Sequence, residues 1–460
     1  MRSAALSWAV AALALGTAPL LALSPVTSMG VGLTATALFM GGTGHPLSIP
    51  EDTTEYITEY VEDADAVYVA PSGLCVGGDP GCSRVAVYGP EQFRFDTGLW
   101  DMPYDESVAI GLSNLDACLR KASCTVTKPP FTSTATATLT DTSYVVYGYS
   151  QSAAIAALEK YDLIAHPPPG TTVSFVVNAN PNRPNGGILE RFVGAYIPII
   201  DVSFNGAMTT NSPEPHPITT VDVANQYEPV ADFPTNPLNL LADLNVLLGF
   251  LYLHPEPAYF AATDIRLQGQ YQDTTYYLAP AKTVPLLMPL EQIPLIGPPL
   301  AAILDPPLRV LIEAGYDRTI NPGQPTPAKW LYVPDLLKTT VDFLEAIPTG
   351  WDNGIALISG DPANRPFHTT PPGPYGVGGP PVDTGAIDSY GPPAPYTPSP
   401  TPALAATTVA GVTTTAAPRS ARRATARTTR AARKPGHAVA ARPSSSGVSG
   451  RPRAVRPPTG

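Results

Sequence analysis

The clearest hydrophobic pattern of the chain lies at residues 144–158. Residues 144–149 (YVVYGY) are β-branched and aromatic, which predicts a buried strand, and the alanine-rich run at 153–158 predicts a closely packed helix. Ser150 lies between them, flanked by Gly148 and by Ser152, which stands where glycine is usual. A strand, a sharp turn with serine at its tip and a helix are the context of a nucleophile elbow, whose strained turn requires small neighbours. The alternative is a serine that only caps the helix.

Similar apolar segments recur on both sides of this turn. Apolar residues at spacings of four, three and four (Val108, Leu112, Leu115, Leu119) predict a helix over 107–122. Short segments of β-formers predict further strands at residues 34–44, 66–71, 85–93, 173–180 and 218–226. Because strands alternate with helices, the sequence predicts the α/β class, with a mostly parallel sheet covered by helices on both faces.

The pattern changes after residue 238. Residues 238–252 form an apolar helical run that ends at His254, and residues 284–312 are rich in Leu, Ile and Pro. The prolines predict short helical pieces rather than a membrane-spanning helix. We expect these pieces to cover one end of the sheet, where a lipid substrate would enter. Plain core packing is the alternative.

The first 33 residues predict export. Arg2 is followed by an almost wholly apolar segment at residues 4–23, long enough for a signal peptide or an uncleaved membrane anchor. Either one places the body of the protein outside the cytoplasm, secreted or anchored at the cell envelope. A buried core helix is the alternative.

The C-terminal part predicts a linker and a disordered basic tail. Between residues 371 and 402, 17 of 32 residues are Pro or Gly, and we expect a linker over 351–402 and disorder over 403–460. The chain has 27 Lys and Arg and 38 Asp and Glu; from Arg419 onward there are eleven basic residues and no acid, so the preceding part carries 16 basic and 38 acidic residues. For an exported tail we expect anionic lipid or acidic cell-wall polymer as partner, not nucleic acid. An inert tail is the alternative.

The four cysteines form two close pairs in the sequence, Cys75 with Cys82 and Cys118 with Cys124. Four cysteines permit three pairings. Export favours oxidation, so we expect two disulfides, most simply within each pair. No metal-ligand spacing or cofactor motif is present, and we expect neither a metal nor a cofactor.

A serine nucleophile needs a histidine base and a carboxylate, which follow it in the order Ser, Asp/Glu, His in elbow enzymes. Of six histidines, His254 is the best base by position, because it follows the last predicted strand and several acids. A structural histidine is the alternative. We expect the acid within residues 225–234, directly after a strand.

Several stretches of the chain resemble the mycobacterial PE-PPE domain, which belongs to the α/β-hydrolases and is similar to cutinases. They are GYSQSA (148–153), YEPVADFP (227–234), NVLLGFLYLH (245–254), YGPEQF (88–93), SVAIGLSNL (107–115), RPNGGILERF (183–192) and the downstream LLMPL and PPLRVLIEAGYDR. The resemblance spans roughly residues 34–345 and implies an α/β-hydrolase-like domain at 34–350. No PE or PPE helical module is visible before it, and we expect the domain to follow the export segment directly.

By this resemblance, Ser150 is the nucleophile and His254 the base. The family usually has Asp where this chain has Glu228, and Asp232 is the competing acid; we favour Asp232 slightly. By analogy with cutinases, the oxyanion hole uses the backbone N–H of Gln151 and the backbone N–H or hydroxyl of Thr43.

Three functions follow from these observations. The resemblance implies a serine esterase or lipase that acts on lipid or acyl-ester substrates in the envelope. The same triad in an acyltransferase would instead pass the acyl group to a sugar hydroxyl. The third is a non-catalytic envelope-binding protein that has kept the fold. Nothing in the sequence indicates an oligomeric state.

Overall fold

The computed structural model describes residues 35–75, 81–214 and 217–382. The predicted export segment (1–33) and basic tail (403–460) lie outside the described residues. The strands are β1 (Thr36–Phe39), β2 (Ser83–Val87), β3 (Ser123–Thr127), β4 (Thr134–Thr138), β5 (Ser143–Tyr149), β6 (Thr172–Asn178), β7 (Tyr196–Ile197), β8 (Val202–Ser203), β9 (Thr220–Asn225), β10 (Arg266–Tyr271) and β11 (Thr274–Ala279). The α-helices are α1 (Thr54–Ala64), α2 (Tyr104–Leu119), α3 (Gln151–Ala165), α4 (Ile188–Arg191), α5 (Leu240–Tyr252), α6 (Glu256–Phe260), α7 (Met288–Glu291), α8 (Gly297–Glu313) and α9 (Leu336–Ser359).

Nine of these strands form one sheet, in the order β10-β11-β9-β6-β5-β1-β2-β3-β4, while β7 and β8 form a separate hairpin. The strands from β11 through β9, β6, β5 and β1 to β2 are parallel, and antiparallel strands are added at both edges. The predicted α/β class with a mostly parallel sheet is therefore confirmed. Strand β5, which leads into Ser150, lies at the centre.

Helices cover both faces of the sheet, as the alternation along β1 requires. Phe39 packs against Ile57 of α1 on one face. Leu38 packs with Leu115 of α2 and Ile155 of α3 on the other face. Since successive strand residues point to opposite faces, both kinds of position must be apolar, which explains why the central strands show continuous apolar runs. Burying each such side chain stabilises the fold by roughly 1.5–3 kcal/mol.

The predicted strand at residues 66–71 is wrong. Helix α1 continues there into a π-helical turn, Asp65–Val69, in which the Ala70 N–H donates to the Asp65 carbonyl. Tyr68 and Val69 are buried in the core on the α1 face. Their burial as part of this helical turn outweighs the β propensity on which the prediction rested.

The proline-rich region 284–312 is more helical than expected. A 3₁₀ turn (Pro285–Leu287) and α7 are short, but α8 has 17 residues and contains Pro306 and Pro307. Pro307 has no N–H for the carbonyl of Ile303. Gly350 of α9 packs there, where an added Cβ would lie 2.0 Å from that carbonyl oxygen. Among the helices that the structure describes, none is both long and apolar enough to cross a bilayer.

The expected linker at 351–402 does not begin at residue 351. Helix α9 continues to Ser359, and Tyr375 and Val382 are buried. The Pro374 carbonyl accepts hydrogen bonds from Gln226 (2.9 Å) and Arg309 (3.1 Å). These donors satisfy the backbone of a proline-rich segment, which can therefore pack on the domain. Residues 383–402 lie outside the described part of the chain.

Candidate active site

Ser150 lies at the tip of the turn between β5 and α3. Its backbone has φ 56° and ψ −113°, a left-handed conformation that an L-residue adopts only under strain. Gly148 makes the turn possible, because a Cβ at this position would lie 2.7 Å from the carbonyl oxygen of Ser152. The Ser150 N–H donates to the Asn178 carbonyl at 3.1 Å, which joins the turn to the neighbouring strand β6.

Ser152 fits where glycine is usual because its hydroxyl has hydrogen-bond partners in the surrounding backbone. The side chain is fully buried, and its Oγ accepts from the Tyr149 N–H at 2.8 Å. The same hydroxyl lies 3.2 Å from the carbonyl oxygen of Met40 in β1's C-terminal extension. The substitution thus links the turn to β1 rather than disturbing it.

The structure brings His254 to Ser150. The distance from Ser150 Oγ to His254 Nε2 is 3.1 Å. The imidazole stacks between the rings of Phe250 and Tyr149, at centroid distances of 5.2 and 5.7 Å. The Tyr149 hydroxyl donates to the backbone carbonyl of His254. Burial holds the pKa of Tyr149 well above its usual value, so this hydroxyl stays protonated and remains a donor.

Glu228 lies at the other ring nitrogen. Its Oε1 is 2.6 Å from His254 Nδ1 and also accepts from the Val230 N–H at 2.7 Å. Its Oε2 accepts from the Ala231 N–H (2.9 Å) and from the Tyr259 hydroxyl (3.1 Å). The carboxylate is completely buried, and each oxygen has two donors. This geometry holds the imidazole with Nδ1–H toward Glu228 and Nε2 free to accept a proton from Ser150.

The expectation that Asp232 contacts His254 is not met. Asp232 is paired with Arg318, at 2.5 Å to Nη1 and 3.0 Å to Nη2, and it accepts from the Tyr227 N–H at 2.8 Å. The chain turns sharply after β9 at Tyr227, which has φ 65°. This turn directs Glu228 into the site, and Asp232, four residues later, points toward Arg318.

Thr43 and Gln151 lie together beside Ser150. The Thr43 hydroxyl donates to Gln151 Oε1 at 3.0 Å, so it is directed at this amide and not at an oxyanion. The side-chain nitrogen of Gln151, Nε2, in turn donates to Ser107 Oγ at 2.8 Å. At Gly42, a Cβ would lie 2.7 Å from the Tyr149 ring and 3.7 Å from the Ser150 Cβ. The glycine turn after β1 therefore approaches Ser150 closely, as the oxyanion-hole prediction requires.

Ser150, His254, Thr43 and Gln151 line a cavity of about 650 Å³. Much of its wall is apolar and consists of one packed group: Phe93, Tyr104, Ile188, Leu189, Ile200, Val202 and Phe204. No residue from 284–312 is among the lining residues in the described part of the chain. Part of that region packs instead against Tyr227 and Val246, while Leu295 and Ile296 are exposed, so the region does not cover this cavity.

The two disulfides lie away from this cavity. Cys75 is bonded to Cys82 and Cys118 to Cys124, the pairing that is simplest from the sequence. The described residues contain no cluster of three or more His, Cys, Asp or Glu that could hold a metal ion.

Tyr259 and the contacts of Tyr149 and Phe250 with the site were not predicted from the sequence. Tyr259 donates to Glu228 from α6, and Tyr149 and Phe250 enclose the imidazole. Tyr149 lies within the motif GYSQSA and Phe250 within NVLLGFLYLH. An aromatic residue directly before Ser150 and another four residues before His254 could therefore have indicated these contacts. Nothing in the sequence marked Tyr259.

Comparison with known proteins agrees with this architecture. The model of the PE-PPE domain family matches residues 80–317. The esterase PE16 of Mycobacterium tuberculosis (strain ATCC 25618 / H37Rv) is 36% identical over 305 residues, which cover 64% of this chain and 51% of PE16. The SL1278 acyltransferase Chp1 of the same strain is 30% identical over 262 residues, 54% of this chain and 57% of Chp1.

A PPE family protein of unknown function, PPE42 of M. tuberculosis (strain CDC 1551 / Oshkosh), is 35% identical over 343 residues, 72% of this chain and 53% of PPE42. The chain thus spans about half the length of these relatives. Since the family model covers more than half of the chain, the protein belongs to the PE-PPE domain family.

Proposed function

We propose that this protein is a serine esterase that cleaves acyl esters through an acyl-Ser150 intermediate. The observation that carries the proposal is the continuous hydrogen-bonded series from Ser150 Oγ to His254 Nε2 and from His254 Nδ1 to Glu228. A buried serine at the tip of a strained turn, with a base and a carboxylate in this order, is the arrangement of an activated nucleophile. It also argues against a purely non-catalytic envelope protein.

In the proposed mechanism, His254 Nε2 takes the hydroxyl proton as Ser150 Oγ attacks the ester carbonyl carbon. Glu228 orients the imidazole and stabilises the imidazolium that forms. The backbone N–H groups of Gln151 and Thr43 donate to the oxyanion. Collapse of the tetrahedral intermediate breaks the C–O bond, and His254 returns the proton to the departing alcohol. Water, activated by His254, then attacks the acyl-Ser150 ester, which releases the acid and restores the serine.

The apolar wall of the cavity supports acyl esters as the substrate class. Side chains such as Leu189, Val202 and Phe204 form a continuous nonpolar surface that suits an acyl chain. The relative named as an esterase supports hydrolysis, and the relative named as an acyltransferase supports a second candidate, transfer of the acyl group to an alcohol. Both use the same acyl-enzyme, and they differ only in the acceptor.

The proposed location is the cell envelope, either secreted or held by the N-terminal apolar segment. Two disulfides in the described domain support an oxidising compartment. The basic tail is proposed to contact anionic lipid or acidic cell-wall polymer, because its eleven positive charges are not offset by any acid.

The test uses the full chain, a serine-directed fluorophosphonate probe and p-nitrophenyl esters of graded acyl length. Ser150→Ala should lose probe labelling and ester hydrolysis, while Ser133→Ala, at an exposed serine, should keep both. Adding glucose or trehalose then separates the two candidates, because an acyltransferase forms the sugar ester. Labelling that persists in Ser150→Ala would remove the nucleophile assignment.

A further inference from the structure

A second group of polar side chains lines the same cavity as Ser150 and takes no part in the proposed mechanism. It consists of His45, Tyr56 of α1 and Glu256 of α6. The Tyr56 hydroxyl lies 2.7 Å from both oxygens of Glu256. The imidazole of His45 stacks on the Tyr56 ring at a centroid distance of 4.2 Å, with 24° between the planes. The three side chains thus form one contiguous surface.

Hydrogen bonds to Asp52 hold the His45 side of this polar surface in place. His45 Nδ1 lies 2.9 Å from Asp52 Oδ1, and the second oxygen of Asp52 accepts from the Leu47 N–H at 2.7 Å. The hydrogen bond to Asp52 raises the pKa of His45, which favours a charged imidazolium. Burial raises the pKa of Glu256, although its bond from Tyr56 opposes this shift. The groups are therefore held in place before any ligand arrives.

The polar surface and the apolar wall approach the reacting atoms from different parts of the fold. The apolar wall packs on Ala154 of α3, one helical turn after Ser150. Glu256 follows His254 by two residues in the chain. An ester bound with its carbonyl at Ser150 has two arms, the acyl chain and the alcohol. If the acyl chain occupies the apolar wall, the polar surface faces the alcohol.

The chemistry of this surface suits hydroxyl groups. A carboxylate only accepts hydrogen bonds, and the single proton from Tyr56 leaves lone pairs of Glu256 for a ligand. The Tyr56 oxygen can accept a further bond, and the His45 ring can donate one. A ligand that both donates and accepts matches this set. A quaternary ammonium group does not, because it has no hydrogen to donate to Glu256 or Tyr56 and no lone pair to accept from His45.

We propose that His45, Tyr56 and Glu256 form a binding site for a polyhydroxylated alcohol, the sugar-like or glycerol-like part of an ester substrate or acyl acceptor. This inference rests on the proposed serine esterase or acyltransferase function. The site selects the alcohol, and the triad performs the chemistry. Tyr56 and Glu256 are specificity-determining residues and not part of the proton relay.

The test compares esters that share one fatty acid and differ in the alcohol: glucose, glycerol, ethanol and choline. The full chain, Tyr56→Phe and Glu256→Gln are assayed for kcat/KM on each. We expect the wild-type protein to prefer the glucose and glycerol esters. In each variant, the ratio of kcat/KM for the glucose ester to that for the ethyl ester should fall on the order of tenfold to hundredfold, since a hydrogen bond to a half-buried polar group in the cavity is lost.

Matched controls are Tyr161→Phe and Glu59→Gln, both at exposed positions on helices, which should leave the ratio unchanged. Fluorophosphonate labelling of Ser150 reports folding and an intact triad in each variant. Tyr56→Phe removes one oxygen and keeps the ring, so it decides the question if Glu256→Gln does not fold.

Two outcomes overturn the site while the esterase function stands: an unchanged glucose-to-ethyl ratio in labelled variants, or a selective loss on the choline ester. If the wild-type protein is not labelled and cleaves none of the esters, the proposed function fails and the inference fails with it. These results are distinguishable because labelling does not depend on the alcohol.

Discussion

Replacing Glu228 by glutamine tests the assignment of the acid directly. Each oxygen of Glu228 accepts two hydrogen bonds, Oε1 from His254 and Val230 and Oε2 from Ala231 and Tyr259. A glutamine amide has one NH₂ group, and in either orientation this group faces two donors. The variant therefore loses the negative charge and cannot satisfy its surroundings.

The expected cost appears in both rate and stability. Neutralising a triad acid lowers kcat by about 10⁴, which corresponds to about 5.4 kcal/mol of transition-state stabilisation. Donors left facing the amide cost about 1–3 kcal/mol in the free energy of unfolding. Glu228→Asp keeps the charge but withdraws it by about 1.5 Å, one carbon–carbon bond, so we expect an activity between those of wild type and Glu228→Gln.

Asp232→Asn is the matched comparison, because it neutralises the neighbouring acid of the same loop. It breaks a buried ion pair with Arg318, but Glu313 still pairs with Arg318 at 2.8 Å. We therefore expect a loss of about 3 kcal/mol or less in the free energy of unfolding and nearly unchanged kcat per folded molecule.

The assay is p-nitrophenyl ester hydrolysis, normalised to the fraction of protein that fluorophosphonate labels, together with urea unfolding. A fall of 10³ or more in kcat for Asp232→Asn, with Glu228→Gln within tenfold of wild type, would refute the assignment of Glu228.

Two further expectations concern the elbow helix and its turn. Gly148→Ala should slow fluorophosphonate labelling and lower the free energy of unfolding by about 1–3 kcal/mol, because the new Cβ would lie 2.7 Å from the Ser152 carbonyl oxygen. The control is Gly373→Ala, which should match wild type because a Cβ there meets nothing within 4 Å. Burial, and then the nearby Asp116, raises the pKa of Glu159 to about 8. The folded state therefore holds a proton that the unfolded state has lost above about pH 4.5, so the free energy of unfolding should fall as pH rises toward 8, by at most about 1.4 kcal/mol per pH unit. In urea unfolding from pH 4 to 9, Glu159→Gln should remove this slope, and an identical slope in the variant would show that Glu159 does not cause it.

The sequence predicted the strands that have continuous apolar runs and missed the strands that lack such runs. The central strands were found because covering both faces of a sheet requires uninterrupted apolar residues, and helix α2 was found because its apolar residues recur at helical spacing. Strands β3, β4 and β10, at the two ends of the sheet, were missed because each contains polar or small residues that are partly or fully exposed. Strand β11 is fully buried and pairs on both sides, but its Thr and Tyr residues do not form a continuous apolar run. A partly polar edge strand has only a weak pattern of its own and depends on its neighbour for its conformation.

Within the site, local motifs were sufficient to select Ser150 and His254, which the structure brings together, but not the carboxylate that contacts His254. The choice between Glu228 and Asp232 depends on the backbone turn at Tyr227, and no pattern of residue types encodes that direction. The Tyr56–Glu256 contact joins residues 200 positions apart. Such a pair results from the packing of α1 against α6, so it cannot be predicted from the sequence before the fold is known.

The bond from Tyr149 to the backbone carbonyl of His254 has a consequence for how such an enzyme can diversify. Ser150 and His254 are 104 positions apart in the chain, yet Tyr149, the residue before Ser150, donates a hydrogen bond to the backbone of His254. The position of His254 beside Ser150 therefore depends on contacts with Tyr149, Phe250 and Glu228, and the apolar wall formed by α4 and the β7–β8 hairpin makes none of these contacts. Substitutions in α1, α4 or the β7–β8 hairpin can change which molecules enter without retuning the chemistry. Evolution, or a protein engineer, can alter the substrate range of this scaffold one wall at a time.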